Sequence, residues 1–424
     1  MGFPDGFLWG ASTSSYQIEG GNEGSAFTAW ERRRGWEPCA EAADSWNRWR
    51  EDLACLKELG ANAYRFSLEW SRLQPSPVDF DEKALSRYVE MARTFKEAGV
   101  RPMVCLHHFS EPAWLFERYP LGWLDPRACE AFVRFGDRVV RALRSEVSDW
   151  ITFNEPMVWL MNGYALGLFP PGLRRIYALE RTFLKEGLLE NVLRAHRELY
   201  RLIHQDIPNG RVAIAQNIVD LEPARPGSAD LEALSRWDLF MHRRALDLAA
   251  SAHTLDFIGL NYYTRIFVSK ARLPFVPLRV VPAYAELEQI TGSLGLKLLG
   301  GRRGDRPRSD MGWEIVPEGL GKVALALWKA YRLPVVVTEN GMADGSPDGR
   351  ERFLKGHLAS LEAAIAQGAD VRGYLHWSLV DNYEWGSYRP RFGLYGVDRS
   401  GSFKRSQASG ADYFRRVIAA NGVV

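Results

Sequence analysis

Two glutamates far apart in the chain occupy matching settings, and the match is a chemical one. In Trp150-Ile151-Thr152-Phe153-Asn154-Glu155-Pro156 a short apolar run ends in Asn-Glu. Pro156 has no N–H with which to continue a strand ladder. In Val335-Val336-Val337-Thr338-Glu339-Asn340-Gly341 a second apolar run ends in Glu beside Asn, and Gly341 lets the backbone turn away. A carboxyl group at the end of a buried strand is half desolvated, which raises its pKa and keeps a proton available near neutrality. Either glutamate alone reads as an ordinary carboxylate at a strand end. Two such strand ends, each with Glu beside Asn, point to a carboxylate pair suited to glycoside chemistry.

The elements that must position this pair alternate along the whole sequence. Apolar runs at 7–11, 63–67, 102–106, 150–153, 211–215, 257–260, 335–339 and 371–377 read as strands. Between them lie segments of helical periodicity. Asp44 or Ser45 is expected to cap a first helix with Trp46, Trp49, Leu53 and Leu56 inward and Gly60 closing it. A second spans Asp81 to about Ala98, and Asp125-Pro126 supplies an N-cap and first-turn proline for a third. Longer helical stretches are expected over about 176–206 and 228–250, another opens at Pro317, and a final helix begins near 406.

Eight strands alternating with helices predict one (β/α)8 barrel over residues 1–424 rather than a doubly wound sheet. The placement of polar residues decides between them. Gln17, Arg65, His108, Glu155, Asn217, Tyr263, Glu339 and Trp377 all fall just beyond a strand's C-terminal end. In a barrel those ends meet around one pocket, whereas an open sheet would spread them along an edge. One excursion, about 264–313 with its basic run Arg302–Arg308, breaks the rhythm. It reads as a solvated loop, with a flap over the pocket mouth as the functional alternative.

Composition narrows the partners. A formal charge of +2 gives no reason to expect nucleic acid or an anionic membrane. Aromatic residues reach 12%, including 15 Trp, and several stand beside polar residues at strand ends, where they suit the apolar faces of a sugar ring. Mean hydropathy is -0.25, no apolar run reaches membrane-spanning length, and the N-terminus carries no basic-then-apolar signal pattern. The expectation is a cytoplasmic protein. Cys39, Cys55, Cys105 and Cys129 show no CxxC spacing, and core thiols are expected. No metal or other cofactor is called for: His107 and His108 are adjacent, and neither HxH nor HExxH occurs.

Taken together and in order, the runs SYQIEG (15–20), YRFSLEWSRL (64–73), TFNEP (152–156), GYALGLFPPG (163–172), FIGLNYYTR (257–265), MGWEIVPEGL (311–320), VVTENG (336–341) and WSLVDNYEW (377–385) resemble the family-1 retaining β-glycosidases over essentially the full chain. The resemblance implies Glu155 as acid/base and Glu339 as nucleophile. It further implies Arg65, Tyr263 and Asn261 as supports of the nucleophile. Gln17, His108, Asn154, Asn217, Trp377, Glu384, Trp385 and Phe392 are implied as the sugar-binding set. Gln17 and Glu384 can each bond two neighbouring hydroxyls, Asn154 is placed for the 2-hydroxyl, and Trp377 and Trp385 suit C–H faces. Where many relatives have His-Trp, this chain has His108-Phe109, which removes an indole donor. The loop from Trp30 to Asp44 is shorter than usual.

The implied activity is exo-acting hydrolysis of a terminal β-D-glucosyl residue, or a β-galactosyl or β-fucosyl one, through a covalent glycosyl-enzyme. Two rivals compete with it: a 6-phospho-β-glycosidase, against which an anionic Glu384 argues, and a non-catalytic sugar-binding barrel. The substrate is then a small β-glycoside or oligosaccharide. The oligomeric state is left open.

Overall fold

Eight short strands close into a parallel barrel in the computed structural model, which describes residues 2–270, 278–282, 306–346 and 348–424. They are β1 (Leu8–Ser12), β2 (Ala63–Ser67), β3 (Arg101–His107) and β4 (Asp149–Asn154), followed by β5 (Arg211–Asn217), β6 (Ile258–Asn261), β7 (Val335–Asn340) and β8 (Val371–Trp377). Each pairs with its neighbours in sequence, and β8 closes on β1 with Gly10 opposite Leu375. The strands are apolar on both faces because helices cover the outside and side chains fill the inside. Leu8, Ala63, Met103, Cys105, Ile151, Ala213, Val336 and Leu375 form the interior cluster. Residues of the opposite phase, such as Trp9, Tyr64, Val104, Trp150 and Tyr374, pack outward against the helices. A Cβ on Gly10 would stand 1.8 Å from the Ala63 carbonyl oxygen, so only glycine lets β1 and β2 approach.

Helix boundaries follow the expected chemistry where a local cap exists. Asp81 accepts from Lys83 N and Ala84 N, both at 2.9 Å, and starts the helix Glu82–Glu97, which buries Leu85, Tyr88, Met91, Ala92 and Phe95. Asp125 accepts from Arg127 N at 2.9 Å, with Pro126 as the first residue of Pro126–Leu143. Asp44 departs from this pattern. It precedes the helix Ser45–Leu59 in a left-handed conformation and makes no side-chain cap, bonding Asn47 Nδ2 at 2.6 Å and Arg48 Nε at 3.2 Å instead.

Three helical expectations need correction. The stretch 176–206 is broken: a 3-10 turn at Ile176–Ala178 and a π turn at Arg181–Lys185 precede the α-helix Leu188–Asp206. Gly187 at φ 86° makes the break, a backbone state that costs glycine nothing. The stretch 228–250 contains a π turn at Asp238–Arg243 between Ser228–Trp237 and Arg244–Ser251. The last helix starts at Ala411, because Arg405–Gln407 pairs with Tyr395–Val397 as a small antiparallel ribbon. Two further helices, Ser15–Ile18 and Ala26–Arg34, precede the one expected to be first.

The excursion at 264–313 is not a loop throughout. Arg265–Lys270 pairs with Asp220–Pro223 and with Leu278–Pro282 in a three-stranded sheet beside the barrel. The flap reading falls on 271–277 and 283–305, outside the described residues, as do Arg302 to Asp305 of the basic run. All four cysteines are free and buried. Among the described residues no helix is long and apolar enough to cross a membrane.

Candidate active site

Both glutamate-bearing strands lose regular register just before the glutamate. The β4–β5 ladder shifts between Ile151 and Asn154, and the β6–β7 ladder between Val337 and Glu339. Such irregularities re-aim side chains at a barrel's rim. Glu155 then takes a left-handed conformation, φ 44° and ψ 54°. Its N–H donates to the Ala215 carbonyl at 2.7 Å, and its own carbonyl accepts from Trp159 N at 3.0 Å. Glu155 is thus both strand end and start of the short helix Pro156–Leu160. Phe109 and Trp385 are also left-handed, at φ 70° and 43°. Each such residue stores about 1–3 kcal/mol of backbone strain, and all three line one pocket.

That pocket has a volume of about 290 Å³ and opens at the C-terminal end of the barrel. Glu155 and Glu339 face it together with Gln17, His108, Asn154 and Asn217. Tyr263, Trp377, Glu384, Trp385 and Phe392 complete the expected set that lines it. Arg65 and Asn261 stand behind this wall, fully buried, and act on it through hydrogen bonds.

The two carboxyl groups have different surroundings. Glu339 Oε1 is ion-paired with Arg65 Nη1, and Oε2 accepts from the Tyr263 hydroxyl at 2.6 Å. Burial opposes a charge on Arg65 most strongly, but Glu339, by charge and hydrogen bond, together with Cys105 and Tyr263 outweighs it, so the pKa is raised and the guanidinium stays ionised. Burial, then the charge of Glu339, pushes the Tyr263 phenol well up, so Tyr263 remains a donor. Glu155 has no cation in contact. Its Oε1 accepts from Asn261 Nδ2 at 2.8 Å and Asn217 Nδ2 at 3.1 Å. Burial first, and the negative charge of Glu339 second, raise Glu155 from 4.5 to about 8 against the opposing pull of the two amides and Arg65. One carboxyl group therefore stands against a cation and a phenol donor, and the other is kept protonated at neutral pH.

Asn261 corrects an expectation. Its side chain makes no hydrogen bond to Glu339; it donates to Glu155 and, at 3.0 Å, to Asn154 Oδ1. The resemblance implies the nucleophile as its partner, whereas the structure hydrogen-bonds it to Glu155, since a motif such as FIGLNYYTR does not show which way a residue at a strand end points. Asn217, expected to bind substrate, lines the pocket but already serves Glu155. Asn154 lies between the two groups: Oδ1 accepts from Arg65 Nη2 at 2.7 Å, and Nδ2 faces His108 Nε2 at 3.1 Å. Burial, then Arg65, lowers His108 well below its ordinary range, so the ring is neutral. Since Nε2 accepts from Asn154, the ring proton resides on Nδ1.

Across the pocket Gln17 and Glu384 form a polar floor. Gln17 Nε2 donates to the Tyr383 carbonyl at 2.8 Å and to Glu384 Oε2 at 3.1 Å, and Ser14 Oγ donates to Gln17 Oε1 at 2.7 Å. Asn382 Nδ2 reaches the same Glu384 oxygen at 3.1 Å. Burial raises Glu384 to about 7, with Asn382 and Gln17 opposing and Glu339 assisting. It is thus a mixture of acid and carboxylate at neutral pH, not the permanent anion expected from sequence. The aromatic walls are Trp377, stacked on His108 at 5.7 Å, and Trp385, stacked on Tyr16 at 6.0 Å. Phe109, in place of an indole, packs on Trp385 at 5.1 Å and offers no donor.

Sequence reasoning missed Ser14, Asn382, Phe169 and Trp313. Phe169 and Trp313 line the pocket, and Trp313 meets Tyr263 edge-on at 5.3 Å. All four lie in or beside the motifs SYQIEG, WSLVDNYEW, GYALGLFPPG and MGWEIVPEGL, so the signal was present without a criterion to pick them. Among the described residues no group of three His, Cys, Asp or Glu could hold a metal ion.

Comparison with known proteins agrees with this geometry. The family model described as Glycosyl hydrolase family 1 matches residues 1–252 and 244–423. Beta-glucosidase A of Thermotoga maritima is 30% identical, covering 99% of this chain and 98% of that protein. A beta-galactosidase of Sulfolobus acidocaldarius is 32% identical over 94% of this chain and 91% of its own length. The solved beta-glycosidase from Pyrococcus horikoshii superposes with a TM-score of 0.87 at 31% identity, covering 100% of this chain and 96% of that one.

Proposed function

The chain belongs to glycosyl hydrolase family 1 and is a retaining glycoside hydrolase, and from that premise we propose that it releases single β-D-glucosyl or β-D-galactosyl residues from the non-reducing end of small glycosides, with Glu155 as acid/base and Glu339 as nucleophile. The observation that carries this reading is the unlike environment of two carboxyl groups in one pocket: Arg65 and Tyr263 on Glu339, two neutral amides on Glu155. In the first step the Glu339 carboxylate attacks the anomeric carbon. The breaking C–O bond leaves its electron pair on the glycosidic oxygen, which takes the Glu155 proton. In the second, Glu155 as carboxylate removes a proton from water, which displaces Glu339 from the sugar. Gln17 and Glu384 recognise adjacent hydroxyls, and Trp377 and Trp385 cover the ring's C–H face. The names beta-glucosidase and beta-galactosidase among the relatives support both epimers as substrates. Residues 1–424 act as one barrel domain in this reading.

Proton NMR of the first sugar released from p-nitrophenyl β-glucoside and β-galactoside tests it. The β anomer is expected before mutarotation. Appearance of the α anomer first, or no release from either substrate, defeats the reading.

A further inference from the structure

A carboxylic acid has two oxygens, and a proton donor works only if the proton sits on the one that faces the leaving group. The amides around Glu155 settle which oxygen that is. Arg65 has only donors, so Asn154 must turn Oδ1 toward its Nη2, 2.7 Å away. Asn261 stands 3.0 Å from the same Oδ1 and must therefore present Nδ2. Its second N–H then points at Glu155 Oε1, at 2.8 Å. Thr338 Oγ1 closes the arrangement by donating to Asn261 Oδ1 at 2.7 Å. Turned over, Asn261 would set its own carbonyl oxygen against two acceptors. Asn217 adds a second N–H to Glu155 Oε1 at 3.1 Å.

An oxygen that accepts two N–H bonds is the carbonyl oxygen of the neutral acid, because a hydroxyl oxygen is the poorer acceptor and must aim its proton elsewhere. Glu155 Oε2 makes no protein hydrogen bond among the described residues. It is also not among the buried polar atoms left without a partner, so it is the oxygen open to the pocket. We propose that Thr338 and Asn154 lock the Asn261 amide in one orientation, and that Asn261 with Asn217 thereby keeps the proton of Glu155 on Oε2. Thr338 and Asn261 are positioning residues: neither touches the reacting bond. The proposal rests on the reading of Glu155 as the acid. It adds that Arg65, through Asn154, sets the direction of the Asn261 hydrogen bond to the acid.

In the reaction the proton passes from Oε2 to the glycosidic oxygen as the C–O electron pair moves onto that oxygen. The charge left on the Glu155 carboxylate is received by the N–H groups already aimed at Oε1. Without Thr338 Oγ1 the Asn261 carbonyl loses its donor, and the side chain, held only by its N–H bonds to Asn154 and Glu155, can swing off Glu155 Oε1. The proton of the neutral acid is then no longer confined to Oε2, the oxygen that faces the substrate. Loss of that N–H donor to the carboxylate raises the pKa of Glu155. The titratable and charged groups facing Glu155 (Glu339, Arg65 and Tyr263) are unchanged by the substitution.

The test is the pH profile of kcat/KM for Thr338→Val, Thr338→Ser and the unsubstituted protein, on an alkyl β-glucoside and on 2,4-dinitrophenyl β-glucoside. The first needs a proton on its leaving oxygen and the second does not. Thr338→Val is expected to lower the alkyl-to-dinitrophenyl ratio by about tenfold or more, and to move the alkaline limb on the alkyl substrate upward by about half a pH unit. Thr338→Ser, which keeps the hydroxyl, should restore both. Asn217→Ala, at the more accessible of the two donors, should move the limb the same way and carries the test if Thr338→Val does not fold. Equal loss on both substrates with unmoved limbs overturns the proposal, as does failure of Thr338→Ser to restore the ratio. The acid assignment fails separately, by absence of any leaving-group dependence in Glu155→Ala.

Discussion

The division of labour between Glu155 and Glu339 is set by what each carboxyl group touches, and it is open to direct measurement. Glu339→Ala should abolish turnover of every substrate, since no glycosyl-enzyme can form. Glu155→Ala should spare glycosylation by dinitrophenyl glycosides, whose leaving group needs no proton, while alkyl glycosides fail. Loss of the general base, worth about 10²–10⁴-fold, should then give a burst followed by slow turnover. Azide, which attacks without base help, should restore turnover and yield the β-glycosyl azide. Since burial and Glu339 raise Glu155 to about 8, the alkaline limb of kcat/KM on alkyl glycosides should fall near that pH and vanish on dinitrophenyl substrates. Glu384 governs a second discrimination. Raised to about 7 by burial, it is anionic above neutrality and largely neutral below. Selectivity for glucosides over their 6-phosphates should therefore grow as pH rises from 6 to 9, by Coulomb repulsion of about 2–4 kcal/mol at an effective dielectric near 20. A ratio of the two kcat/KM values that is flat across this range would remove Glu384 from that role.

At the scale of elements, the helices hold the barrel from outside and their caps act locally. Asp81 satisfies two backbone donors of Glu82–Glu97, Lys83 N and Ala84 N. Asp81→Ala should lower unfolding stability by about 1 kcal/mol, read as a lower urea midpoint with unchanged slope, and leave kcat/KM as it was. Asp44 precedes Ser45–Leu59 without capping it; its worth lies in the contacts with Asn47 and Arg48. The strands carry the chemistry because the register shifts at β4 and β7 turn Glu155 and Glu339 toward one pocket. Behind β7, Gly341 is obligatory: an added Cβ would lie 1.7 Å from the Trp377 carbonyl oxygen.

Over the whole molecule, buried titratable groups give stability two opposing pH dependences. Burial raises Glu19 and Glu384 to about 7 and Glu155 to about 8, from 4.5. A raised folded-state pKa contributes stability that is complete below about 4.5 and is lost as pH rises through 7 to 8. Burial also lowers His107 and His376 to about 3, and His196 and His357 to about 4, from 6.5. These contribute stability above about 6.5 that is lost as pH falls toward 3. Thermal stability should therefore peak between about pH 5 and 6.5 and decline on both sides. Glu155→Gln removes one alkaline contribution. Its melting temperature should match the unsubstituted protein near pH 4.5 and exceed it increasingly toward pH 9, with at most about 5 kcal/mol to gain. A melting-temperature difference that does not vary with pH would show that Glu155 titrates as in the unfolded chain.

The sequence by itself determined the barrel and, through its motifs, most of the polar groups of the pocket, but not its apolar lining at Val158, Phe169, Val219 and Trp313. Strand phase, caps such as Asp81 and Asp125, and the recurrence of polar residues past strand ends are local properties, readable wherever side-chain periodicity matches backbone periodicity. Where local signals were weak the reading failed. The π turns at Arg181–Lys185 and Asp238–Arg243 leave helical periodicity almost intact, and the strand Arg265–Lys270 is defined by its pairing with Asp220–Pro223 and Leu278–Pro282. Only the tertiary structure decided that Asn261 serves Glu155 rather than Glu339, and that Glu384 sits at the edge of ionisation. Both depend on the direction of a side chain and on the depth of its burial. Those are set in part by residues far along the chain, Asn154 for Asn261 and Gln17 for Glu384, and no spacing along the chain encodes them.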